Sequence, residues 1–128
     1  MLRRLVRNRK GQATVEMAVV LPILLWLLLG LFDVARMANA YLTVQHAARE
    51  AVRAGIRGAT DAEVEQTARD AAVSLESDRT TVTISPLQPR VTGTDLTVTV
   101  TYRYRFIAMF QYAGTEATLE GRMIGRVE

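Results

Sequence analysis

Hydrophobic and polar positions divide the chain into stretches with different periods. Residues 17–32 run for sixteen positions without a formal charge, bounded by Glu16 and Asp33. An unbroken apolar run of this kind reads as a membrane helix. At 1.5 Å per residue it covers roughly 24 Å of a hydrocarbon core roughly 30 Å thick, so its ends thin the bilayer or enter it partly polar. Pro22 removes one helical amide within it, and Trp26 lies mid-span.

Past Asp33 the period becomes that of an amphipathic helix. Val34, Ala38, Tyr41, Ala48, Val52 and Ile56 step by threes, fours and one interval of seven, with neither Gly nor Pro in 31–54. Gly55 and Gly58 supply stop signals, so the spacing predicts a helix over 33–57. Thr60 and Glu63 form a capping-box pair that opens a second helix, predicted over 61–76, with Val64, Ala68, Ala71, Ala72 and Leu75 on its apolar face. Strands follow at about 80–85, 95–106 and 116–127. The middle one alternates Leu96, Val98, Val100, Tyr102, Tyr104 and Phe106 with Thr97, Thr99, Thr101, Arg103 and Arg105, the pattern of a half-buried strand. The predicted fold is α+β: a long N-terminal helix, membrane-spanning then amphipathic, a second short helix, and a three-stranded antiparallel sheet.

Charge gives the first helix a direction. Arg3, Arg4, Arg7, Arg9 and Lys10 precede the apolar run with no acid among them, which keeps that end in the cytoplasm and places the C-terminal domain outside. The overall net charge of +3 rests on these five residues, since from Gln12 onward acids outnumber bases. Nucleic-acid binding has little electrostatic support. Glu16 is the costly residue of the design, a carboxylate at the edge of the hydrocarbon that calls for a cation. Cleavage after Gly11 creates one, because the new α-amino group of Gln12 in one subunit can meet Glu16 of a neighbour. Glu16 among lipid headgroups beside Lys10 is the simpler alternative.

The series Gly11-Gln12-Ala13-Thr14-Val15-Glu16-Met17, continued by Leu21-Pro22-Ile23-Leu24-Leu25 and the segment 33–57, resembles the TadE-like family of pseudopilins. It departs at Met17, where related sequences carry an aromatic. The resemblance implies a basic prepilin leader over 1–11, a transmembrane helix over 12–32 and an extracytoplasmic domain over 33–128. It implies a processing site at Gly11, Gln12 and Glu16, cut by a prepilin peptidase, with Glu16 acting in assembly and register. It also implies a cytoplasmic-membrane protein that enters a tight-adherence type IV pilus, an adhesion organelle. The implied partners are the prepilin peptidase, the major pilin, sister pseudopilins and the assembly platform.

Two rival readings remain. Ala38-Asn39-Ala40 offers a signal-peptidase pattern that releases a secreted binding domain, although the apolar run exceeds the usual signal core of about 7–15 residues. A permanent single-pass scaffold without a filament role is the other.

Candidate contact residues are Arg49, Arg53 and Arg57, spaced by four as a basic stripe, and Met109 and Phe110 in an apolar connection over 107–112. The stripe reads either as a solvated face or as a contact with acids of another subunit. The connection either folds under the sheet or rests on a partner or lipid. Chemistry finds no foothold: the chain has no cysteine and one histidine, His46, and neither a phosphate-binding glycine loop nor a nucleophile elbow. The expectation is a non-enzyme without cofactor, metal or small-molecule substrate.

Overall fold

The computed structural model describes residues 9–107 and 114–128. Apolar continuity and the lack of a breaker from 31 to 54 have a direct result: helix α1 (Arg9–Ile56) runs for 48 residues without interruption, Pro22 included. At 1.5 Å per residue it is about 72 Å long, more than twice the hydrocarbon thickness. It contains a stretch long and apolar enough to cross a membrane, and this single N-terminal helix fits a single-pass membrane protein.

The two halves of α1 have different surroundings. Every residue from 11 to 29 is exposed, so no face of that half is covered by the rest of the described chain. The C-terminal half forms the spine of the domain, with Ala40, Val44, Ala47, Ala48, Ala51 and Val52 buried in the core. This corrects the expected apolar face: Val34, Ala38 and Tyr41 point outward with Leu42, while the covered side begins at Gly30 and Asp33 and continues through Ala40 and Val44. Small residues face the sheet because a close backbone approach needs them, and the bulkier apolar ones are left outside.

Helix α2 (Asp61–Ala71) starts at the expected cap. The Thr60 hydroxyl accepts from the Glu63 amide at 3.3 Å, and the Glu63 carboxylate accepts from the Thr60 amide at 2.8 Å. It ends at Ala71 and not at residue 76. Ala72 leaves helical geometry, its N–H shared between the carbonyls of Ala68 and Arg69, and the Leu75 amide closes a turn on the Ala72 carbonyl at 2.8 Å. That turn returns Leu75 to the core and leaves Val73 in solvent. A 3-10 turn (Ser77–Arg79) then leads into the sheet.

Strands β1 (Thr80–Ser85), β2 (Asp95–Arg105) and β3 (Glu116–Arg126) form one antiparallel sheet in the order β1-β2-β3. Registers such as Val82 opposite Val100 and Val100 opposite Gly121 place the apolar set on one face. Leu96, Val98 and Val100 are fully buried there, each contributing about 1.5–3 kcal/mol of hydrophobic stabilisation. The threonines and arginines of β2 take the opposite face. The fold is the α+β arrangement the periodicities predict.

The β1–β2 connection is fastened to the turn between the helices. The buried Arg90 guanidinium pairs with Asp61, and the Asp61 carboxylate also accepts from the Gln88 amide at 2.9 Å. Arg90 and Gln88 further donate to the Ala59 carbonyl at 3.2 and 3.1 Å. These contacts form the pole of the domain far from the apolar run. The opposite pole, where β2 ends and β3 begins, lies beside Asp33 at the end of the apolar run.

Candidate functional site

The bare half of α1 carries the predicted processing residues. Gly11, Gln12 and Glu16 are all exposed on it, with Gln12 and Glu16 one helical turn apart on the same side. Among the described residues Glu16 has no hydrogen bond or ion pair. A Cβ on Gly11 meets nothing within 4 Å, so the fold does not require glycine there.

Where α1 leaves the apolar run, its side chains turn from lipid-compatible to polar. Asp33 is fully buried, and its carboxylate accepts the Ile107 backbone N–H at 3.3 Å. The Tyr104 hydroxyl donates to the Asp33 carbonyl, also at 3.3 Å. Tyr104 in turn packs edge-on against Phe106, with ring centroids 5.2 Å apart. Burial pushes both Tyr102 and Tyr104 phenols above their ordinary value, so they remain protonated donors at neutral pH. Arg36 stands beside both rings and lines two neighbouring cavities with them. Sequence reasoning used Asp33 only as the end of the apolar run. Its spacing of three from Arg36 was a signal, but the partners that bury it are some seventy residues away and no local pattern announces them.

Arg49, Arg53 and Arg57 are exposed as a stripe near the end of the spine, Arg57 one residue past α1. Arg53 makes an exposed ion pair with Glu50 at 3.6 Å, and such a pair contributes about 0–1 kcal/mol. His46 is exposed on the same helix. Met109 and Phe110 lie outside the described residues.

The site is therefore a helix with two environments: a bare apolar half carrying a carboxylate without an ion pair among the described residues, and a half built into a domain. Residues 11–53 match the family model described as TadE-like protein. No curated protein and no solved structure matches the chain. The TadE-like match begins at Gly11, runs through the apolar stretch and the buried spine, and ends at Arg53, covering about a third of the chain. It suggests involvement in tight-adherence (Flp-type) pilus systems. The TadE-like segment coincides with α1, while α2 and the sheet lie beyond it.

Proposed function

We propose that this chain is a minor pseudopilin of a tight-adherence type IV pilus. It inserts with its basic end in the cytoplasm, is cut by a prepilin peptidase between Gly11 and Gln12, and then joins or primes the filament through α1. The observation that carries this reading is the division of one unbroken helix into a bare apolar half and a half fixed in the domain core. Such a helix can exchange lipid for neighbouring helices without any refolding of the domain. Outward-facing Val34, Tyr41 and Leu42 extend the apolar surface beyond the bilayer, where helices of other pilins can pack on it.

Glu16 sets register in this mechanism. Moved from the lipid edge into a helix bundle, its carboxylate is costly until the Gln12 amine of a neighbour meets it, which favours one axial offset between helices. The chain acts as a peptidase substrate and a structural part, and carries no reaction of its own. Its partners are the peptidase, the major pilin, sister pseudopilins and the assembly platform. Release after Ala40 is disfavoured because a cut there would divide the unbroken α1 at a residue buried in the core and strip Asp33, which holds the end of the sheet, from the domain.

Glu16→Gln tests the register. It is expected to leave membrane insertion intact and to reduce pilus incorporation severalfold, scored by immunoblot of membrane and sheared surface fractions. Unchanged incorporation contradicts a register role for Glu16.

A further inference from the structure

We propose that the cleft between α1 and the membrane-proximal end of the sheet binds the phosphodiester of an outer-leaflet phospholipid headgroup, with Arg36 as its principal cation. Two adjoining cavities of about 400 and 260 Å³ share Arg36, Tyr102 and Tyr104, and the smaller one also takes in Arg105, Phe106 and Ile107. This rests on α1 crossing the bilayer and does not depend on filament assembly.

Position is the first argument. Arg36 lies one turn beyond Phe32, about 6 Å along the axis at 1.5 Å per residue. The polar zone on each face of a bilayer is of order 5–8 Å thick, so with Phe32 at the edge of a bilayer thinned to the apolar run the guanidinium stands at the level of the lipid phosphates.

Charge is the second. Arg36 is half-buried and has no hydrogen bond or ion pair among the described residues. Of the acids near it, Glu76 on the rim pairs with Arg79 at 2.9 Å, and the Asp33 carboxylate accepts the Ile107 amide with no ion pair to Arg36 within 4.0 Å. A planar guanidinium with free donors matches a phosphodiester. The Tyr102 hydroxyl, kept protonated by burial, supplies a neutral donor. At the lower lip, exposed Ile107 and half-buried Phe106 offer apolar contact to the glycerol and upper acyl region.

The test uses the full chain in detergent, titrated with palmitoyl-oleoyl phosphatidylglycerol and read by native mass spectrometry. One lipid is expected to bind. Arg36→Gln is expected to weaken it about tenfold, the order of a lost charge-assisted hydrogen bond. Arg36→Lys should fall between the two, and Arg49→Gln, on the exposed stripe, should bind as the parent does. Circular dichroism of each variant separates lost binding from lost fold. Palmitoyl-oleoyl glycerol, which lacks the phosphate, should bind at least tenfold more weakly than the phospholipid. Equal binding by that diacylglycerol, or unchanged binding by Arg36→Gln, overturns the headgroup site. Displacement of the lipid by soluble glycerophosphoglycerol at equal concentration overturns the membrane as the source of the phosphate. Alkaline carbonate extraction of native membranes reads the span separately: a chain that stays in the pellet yet fails these tests sinks this proposal alone, and one released into the supernatant sinks both.

Discussion

Ile107 donates its backbone N–H to the Asp33 carboxylate across 3.3 Å, joining the end of β2 to the first residue of α1 beyond the apolar run. With the Tyr104 hydroxyl on the Asp33 carbonyl, this bond fixes the sheet at a set height along the helix. Asp33→Ala removes the latch hydrogen bond and empties a fully buried position, and should cost about 1–3 kcal/mol. Asp33→Asn retains an acceptor oxygen and should cost less. Denaturant unfolding of the full chain in detergent, followed by tyrosine and tryptophan fluorescence, ranks the two. Equal stability of Asp33→Ala and the parent would remove the latch from the account.

The approach of β3 to the spine depends on missing side chains. A Cβ built on Gly121 falls 2.7 Å from the Val44 carbonyl oxygen, and one on Gly125 falls 2.5 Å from a Val52 methyl. The first obstacle is backbone of a long helix and has little room to give. Gly121→Ala should therefore destabilise by about 1–3 kcal/mol, as overpacking does. Thermal unfolding by circular dichroism checks this, and a melting temperature equal to the parent's would show that the strand can step away from α1 freely.

The α2 cap makes stability depend on acid. Hydrogen bonds from the Thr60 amide and hydroxyl hold the Glu63 carboxyl below the ordinary glutamate value of 4.5. A carboxyl whose folded value is depressed stabilises the fold fully above its unfolded value, and the contribution fades as pH falls through the folded one. The parent should lose stability as pH drops below about 4.5, and Glu63→Ala should show a shallower loss over that window. Thr60→Ala removes the cap hydroxyl and should cost about 1 kcal/mol at neutral pH. Denaturant midpoints across the pH range read both effects, and parallel pH profiles for parent and Glu63→Ala would contradict the cap's role.

Legibility in the sequence follows the range of the interactions. The apolar run, the capping box and the alternation of β2 are local patterns, and the fold class follows from them. The inward face of the spine agrees with the sequence pattern at Ala48, Val52 and Ile56 and departs from it nearer the apolar run, where alanine marks it: Ala40 is covered, while Val34 and Tyr41, stronger hydrophobic signals, face outward. Only the sheet decides which side is inside, and Gly121 and Gly125 on β3 were the missed clue, since glycines inside an alternating strand mark a close backbone approach. The end of α2 was missed because Ala72 and Leu75 keep helical spacing although the chain between them has already turned. Asp33 and Arg36 gained meaning only when Tyr104 and Ile107 came beside them. Gly11, Gln12 and Glu16 are exposed and unused by the fold, so the processing-site reading rests on their sequence pattern alone.

The central claim is that α1 leaves the bilayer as a processed filament subunit. The most direct measurement is intact mass and N-terminal sequencing of the protein recovered from sheared surface material and from the membrane fraction. Surface material whose first residue is Gln12 is the predicted result. A surface chain beginning at Tyr41, or a protein found solely in the membrane with its basic leader attached, contradicts it.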